Sequence, residues 1–71
     1  MNITLSARQW RKVWEELYNS GEINASGRIA HDVGHIWNGD NWDEQVTLDF
    51  GNDSAPDVRS AANKAGVPIN A

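Results

Sequence analysis

The sequence predicts a small α+β domain in the order strand, helix, helix, strand, helix, with a two-stranded sheet covered by helices. Three observations predict it. Apolar residues recur at helical spacing between Trp10 and Tyr18, alternation with period two takes over between Trp42 and Phe50, and Gly-Asn clusters punctuate the chain between such stretches. All 71 residues, 1–71, fall in one domain, because a chain divides only when a single core stops growing, at several times this length.

Ile3 and Leu5 alternate with polar neighbours as a short first strand. Ser6 then stands three residues before Gln9, the spacing of a capping box, and Leu5 and Trp10 occupy the hydrophobic-staple positions around it. Trp10, Val13, Trp14, Leu17 and Tyr18 form one apolar stripe on the first helix. Asn19-Ser20-Gly21 ends it, since Gly accepts the left-handed conformation of many helix ends.

The second helix is expected from about Ala25 to Trp37, capped by Asn24 or Ser26 and stopped by Asn38-Gly39. Its inward stripe is Ile29, Ala30, Val33, Ile36 and Trp37, with Gly34 offering close approach to the first helix. Gly27 and Gly34 oppose it by about 1 kcal/mol each relative to Ala, and an extended alternative stays open.

From Trp42 to Phe50, Trp42, Glu44, Val46, Leu48 and Phe50 point one way, and Asp43, Gln45, Thr47 and Asp49 the other. Val46 to Phe50 of this second strand is expected to pair with Ile3 to Leu5. Ser54 and Asp57 are spaced as another capping box, with Pro56 in the first turn where its missing donor is not needed. Val58, Ala61, Ala62 and Ala65 give the third helix a narrow apolar face, and Gly66-Val67-Pro68 resembles a Schellman ending. The last four or five residues read as a flexible tail.

Composition narrows the function classes. With 39% hydrophobic and 23% charged residues the chain is globular rather than disordered. No cysteine is present, so disulfides and zinc-thiolate sites are excluded and the reducing cytoplasm is the expected compartment. No apolar run is long enough to span a bilayer, and the first residues lack the regions of a signal peptide. A net charge of −4 argues against non-specific nucleic-acid binding, which relies on counterion release by Lys and Arg, so no direct nucleic-acid partner is expected.

The charge is uneven. Residues 1–14 carry Arg8, Arg11 and Lys12 and no acid, whereas residues 39–57 carry Asp40, Asp43, Glu44, Asp49, Asp53 and Asp57 and no base. Carboxylates gathered on one exposed face attract a positively charged groove, so the partner expected is a larger protein with a basic surface. The alternative is a solubilising face that guards a strand edge. The first helix carries its bases in the N-terminal half and Glu15 and Glu16 behind them, against the macrodipole, although Arg11–Glu15 and Lys12–Glu16 are spaced as i,i+4 pairs. Those bases read as a second contact, or as counter-charge to the chain's own acids.

Trp10, Trp14 and Trp37 lie on apolar stripes and are expected in the core, while Trp42 follows a turn and either closes the core or serves as an exposed interface anchor. Asp40, Trp42, Asp43, Glu44, Asp49 and Asp53, with Arg8, Arg11 and Lys12, are thus the partner-binding candidates.

His31, Asp32 and His35 fall at i, i+1 and i+4 on the polar side of the second helix, a spacing at which two imidazoles and a carboxylate can share a divalent metal. The stretch Ile29-Ala30-His31-Asp32-Val33-Gly34-His35 resembles the His-Asp helix of HD-family phosphohydrolases. That resemblance implies a metal that activates water for phosphoester cleavage. The family also uses an upstream His, and none precedes His31.

The reading that follows is a small acidic, non-enzymatic interaction protein without a cofactor, an inhibitor or modulator that mimics DNA to a larger protein. It is similar in kind, by size and charge, to phage-encoded inhibitors of bacterial defence such as anti-CRISPR proteins. Two alternatives stand beside it: a metal-binding or HD-like hydrolytic module on His31, Asp32 and His35, and a homodimer or larger homo-oligomer formed through strand edges.

Overall fold

A computed structural model describes residues 1–69 of the chain. The elements are β1 (Asn2–Ser6), α1 (Ala7–Asn19), α2 (Ile23–Trp37), β2 (Gln45–Asp49) and α3 (Ala55–Ala65), which is the expected α+β order. The two strands form an antiparallel sheet in which Ile3 faces Leu48, Thr4 faces Thr47 and Leu5 faces Val46. Ile3, Leu5, Leu48 and Phe50 turn inward and are buried, so one face of the sheet closes on α1, which packs against both α2 and α3.

The ladder runs past both strand ends. Met1 and Phe50 exchange backbone hydrogen bonds of 2.9 Å, and at the other end the amides of Ala7 and Arg8 donate to the carbonyls of Glu44 and Trp42, each 2.9 Å. Those two amides open α1, where a helix leaves its first donors without internal acceptors. The chain before β2 therefore accepts from the start of α1 and ties the sheet to the helix layer.

Ser6 closes the expected capping box: Gln9 N–H donates to Ser6 Oγ at 3.2 Å, and Ser6 N–H donates to Gln9 Oε1 at 2.9 Å. Trp10, Val13 and Leu17 are fully buried beside Ile29, Val33 and Val58. Tyr18 departs from the stripe and is 65% exposed. At 100° per residue it stands roughly 80° round the helix from Trp10, past the edge of the buried face. There it stacks on half-buried Trp14, with ring centroids 5.2 Å apart.

Gly21, at φ +80°, ends α1 in a Schellman arrangement in which Glu22 N–H donates to Leu17 O and Gly21 N–H to Tyr18 O. The same Glu22 is the N-cap of α2, which begins at Ile23, earlier than the sequence suggests, with no side-chain cap. Asn24 and Ser26 accordingly lie inside the helix, where Ser26 Oγ donates to Ile23 O at 3.2 Å. Gly34 makes no close approach: a Cβ built there meets nothing within 4 Å.

β2 covers Gln45–Asp49 only. Trp42 to Glu44 belong to a turn in which Glu44 N–H donates to Asn41 O, so the alternation does not extend to Asp43, and Glu44 is exposed rather than inward. Ser54 adopts a helical conformation (φ −97°, ψ −26°) and makes no side-chain cap. The turn carbonyl of Gly51 accepts from Ser54 and Ala55 instead. At the far end of α3 the Schellman ending forms on Gly66, with Val67 N–H donating to Ala62 O at 2.8 Å. Val67 is buried and Ile69 packs on the core, so the expected flexible tail is not seen to that point; Asn70 and Ala71 lie outside the described residues.

Candidate functional site

All six carboxylates of residues 39–57 reach the surface, Asp57 half-buried and the other five exposed. The fold divides them between the two ends of β2. Asp40, Asp43 and Glu44 precede the strand, while Asp49, Asp53 and Asp57 close and follow it. At about 3.4 Å per residue, Glu44 and Asp49 stand roughly 17 Å apart. That is about two Debye lengths at physiological ionic strength, so the groups act as two separate anionic points. The outer face between them carries Gln45 and Thr47, and Thr47 Oγ1 shares a 2.7 Å hydrogen bond with Thr4 Oγ1 across the sheet. The acids therefore do not form one continuous patch on the strand face: Asp40, Asp43 and Glu44 precede β2, Asp49 and Asp53 close and follow it, and Asp57 lies on α3 beside Ser20, Glu22 and Lys64.

Two of the acids have intramolecular cations. Asp43 Oδ1 is 3.5 Å from Arg8 Nη2, and Asp49 Oδ1 is 3.0 Å from the N-terminal ammonium. Both carboxylates stay well exposed, so these are solvent-screened pairs of the kind that contribute little. Glu44 accepts a 2.8 Å hydrogen bond from Asn41 Nδ2. Asp40 and Asp53 have no ion-pair partner among the described residues. Asp57 sits in the first turn of α3, where its charge favours the helix N-terminus.

The bases of α1 are divided as well. Arg8 turns to Asp43, whereas Arg11 pairs with Glu15 at 3.2 Å and lies over the rings of Trp14 and Trp37, at 4.9 and 5.3 Å from their centroids. Lys12 is exposed, and the i,i+4 pair with Glu16 does not form within ion-pair distance. Trp10 alone of the four tryptophans is fully buried. Trp14 and Trp37 are half-buried at the core margin, and Trp37 Nε1 donates to Ala7 O at 2.8 Å. Trp42 is half-buried and stands outside the core cluster, beside the acids that precede β2. The sequence did not signal the exposed aromatic margin of Tyr18, Trp14 and Arg11, because Tyr18 keeps the helical spacing of a core residue.

Of the three predicted ligands, Asp32 and His31 join Arg28 in a hydrogen-bonded network on the surface of α2, whereas His35 is exposed and takes no part in it. Asp32 Oδ2 accepts from Arg28 Nε at 2.7 Å, and Asp32 Oδ1 is 2.9 Å from His31 Nδ1. Hydrogen bonding to Arg28 first, and then to His31, holds the Asp32 carboxyl below its ordinary pKa of 3.8. Both carboxylate oxygens are engaged, and no group of three potential ligands converges on a metal position among the described residues. No described helix is long and apolar enough to cross a membrane. An open groove of about 590 Å³ runs between α3 and the segment after it, lined by Pro56, Arg59, Ser60, Asn63, Val67 and Ile69, without a carboxylate or imidazole.

Comparison with family models, with curated proteins and with solved structures finds no match to this chain.

Proposed function

We propose that this chain is a small non-enzymatic interaction protein that docks on a larger protein with a basic surface, placing carboxylates where nucleic-acid phosphates would otherwise sit. One observation carries the reading. The acids at both ends of β2 are solvent-facing with no base among residues 39–57, and Asp40, Glu44 and Asp53 are left without a cation of their own. Carboxylates that a fold does not neutralise keep their field for an incoming surface, which raises the association rate and selects for positive partners.

Trp42, half-buried beside Asp43 and off the core, is the apolar anchor in this reading. Aromatic side chains next to charged rims dominate many interface energies. Arg8 steadies Asp43, and Arg11 and Lys12 offer a second contact on α1. The cytoplasm is the compartment that suits a cysteine-free chain of this kind.

The test is affinity capture. The immobilised protein, exposed to extract of its native host at low salt, is expected to retain a basic protein that is released as ionic strength rises. Retention that is indifferent to salt contradicts electrostatic docking.

A further inference from the structure

The hydrogen-bond pattern of the sheet shows which strand edge is open. Met1 and Phe50 exchange both backbone bonds, and Ala7 donates to Glu44. In an antiparallel ladder bonded and non-bonded pairs alternate, so Ile3–Leu48 and Leu5–Val46 are the bonded pairs between these ends. The N–H and C=O groups of Gln45, Thr47 and Asp49 therefore point away from β1. None of the six has a hydrogen-bond partner among the described residues. The edge of β1 is less available, because Ser6 N–H is held by Gln9.

The β2 edge is only partly protected: Gln45–Asp49 contains no Lys or Pro, and its one charged side chain, Asp49, stands at the end of the strand. A two-stranded sheet is also marginal in water by itself.

We infer that the free edge of β2 pairs antiparallel with β2 of a second copy of this chain, about a two-fold axis at Thr47, giving a four-stranded sheet. This goes beyond the docking proposal and does not rest on it. In that register Thr47 faces its own counterpart, and Gln45 faces Asp49 of the other copy. All six outward-pointing groups of each strand are satisfied. On the outer face each Gln45 amide donates to an Asp49 carboxylate, so no two carboxylates oppose each other. On the inner face Val46, only half-buried in one chain, faces Leu48 of the other and continues the apolar layer. Such an interface is isologous, as closed dimers require.

The net charge of −4 per chain opposes the approach of two copies. The dimer is therefore expected to tighten as salt rises, whereas docking on a basic partner weakens.

Sedimentation equilibrium of the purified protein at rising concentration, at low and high salt, tests the inference, with amide hydrogen exchange as a second readout. The expected result is a mass rising from 7.9 kDa toward twice that value, at lower concentration in high salt. Gln45, Thr47 and Asp49 amides should gain protection in step with the mass.

Thr47→Pro removes an edge donor that β1 does not use, and Gln45→Glu sets carboxylates opposite Asp49. Each is expected to weaken dimerisation about tenfold or more, and Gln45→Glu keeps the test valid should the proline disturb the strand. A monomer under every condition overturns the inference. So does a dimer that both variants leave unchanged, or one whose protection falls on the Trp14–Tyr18 face. Protection of the three amides only on addition of a captured basic partner assigns the edge to a strand of that partner instead. Loss of dimerisation with partner capture intact, or the reverse, separates this inference from the docking proposal.

Discussion

Trp10 Nε1 donates a 2.9 Å hydrogen bond to the carbonyl of Val46, joining the fully buried first turn of α1 to β2. One side chain thus fills the core with its ring and fixes the height of the strand above the helix. Because Glu44 and Asp49 lie at the two ends of that strand, the indole also sets where the acidic groups stand.

Trp10→Phe removes this donor and leaves a void, and is expected to lower stability by about 2 to 3 kcal/mol. Trp37→Phe removes the bond to Ala7 O at a half-buried position and is expected to cost only about 1 kcal/mol. Urea denaturation of both variants checks the order, and equal losses would place the two rings in equivalent surroundings.

Gly34 lies inside α2 with open space where a Cβ would project, and its φ is not left-handed. Gly34→Ala is expected to stabilise the protein by about 0.5 to 1 kcal/mol through helix propensity. Gly66→Ala, at φ +73°, is expected to destabilise it, because an L side chain is strained there. Thermal melts of the two variants should move in opposite directions.

Asp32 is held below its ordinary pKa by Arg28 and His31, so its contribution to stability is present above the unfolded-state carboxylate pKa and is lost as pH falls through the lower folded value. Arg28→Ala removes the larger cause. The Asp32 pKa is then expected to move up toward 3.8, read by NMR titration of the carboxyl carbon. A titration curve unchanged by the substitution would assign the shift to another group.

Much of this fold is legible in the sequence because its signals are local. The capping box at Ser6 and Gln9, the left-handed glycines at positions 21 and 66, and the alternation of Val46, Leu48 and Phe50 each involve residues a few positions apart. The errors arise where the chain's backbone does what a side chain was expected to do. Glu22 starts α2 because it already closes α1, and Gly51 accepts the amides that Ser54 was expected to cap. Tyr18 keeps a core-like spacing yet faces water, since the buried arc of α1 is narrower than its apolar stripe.

The candidate site was legible in composition and not in geometry. The absence of bases between Gly39 and Asp57 is plain in the sequence. The separation of the acids follows from the turn at Asn41–Glu44, which takes Asp43 out of the strand and toward Arg8. The ion pair of Asp32 with Arg28, by contrast, follows from their i,i+4 spacing on the polar side of α2.

The most direct measurement is the affinity of the captured partner for the protein carrying Asp40→Lys, Glu44→Lys and Asp53→Lys together, with the fold verified by its amide spectrum. These side chains are exposed and bear no core contact, so the fold is expected to persist while affinity falls about tenfold or more, chiefly through slower association. Undiminished affinity in the folded variant would contradict docking through the acids that flank β2.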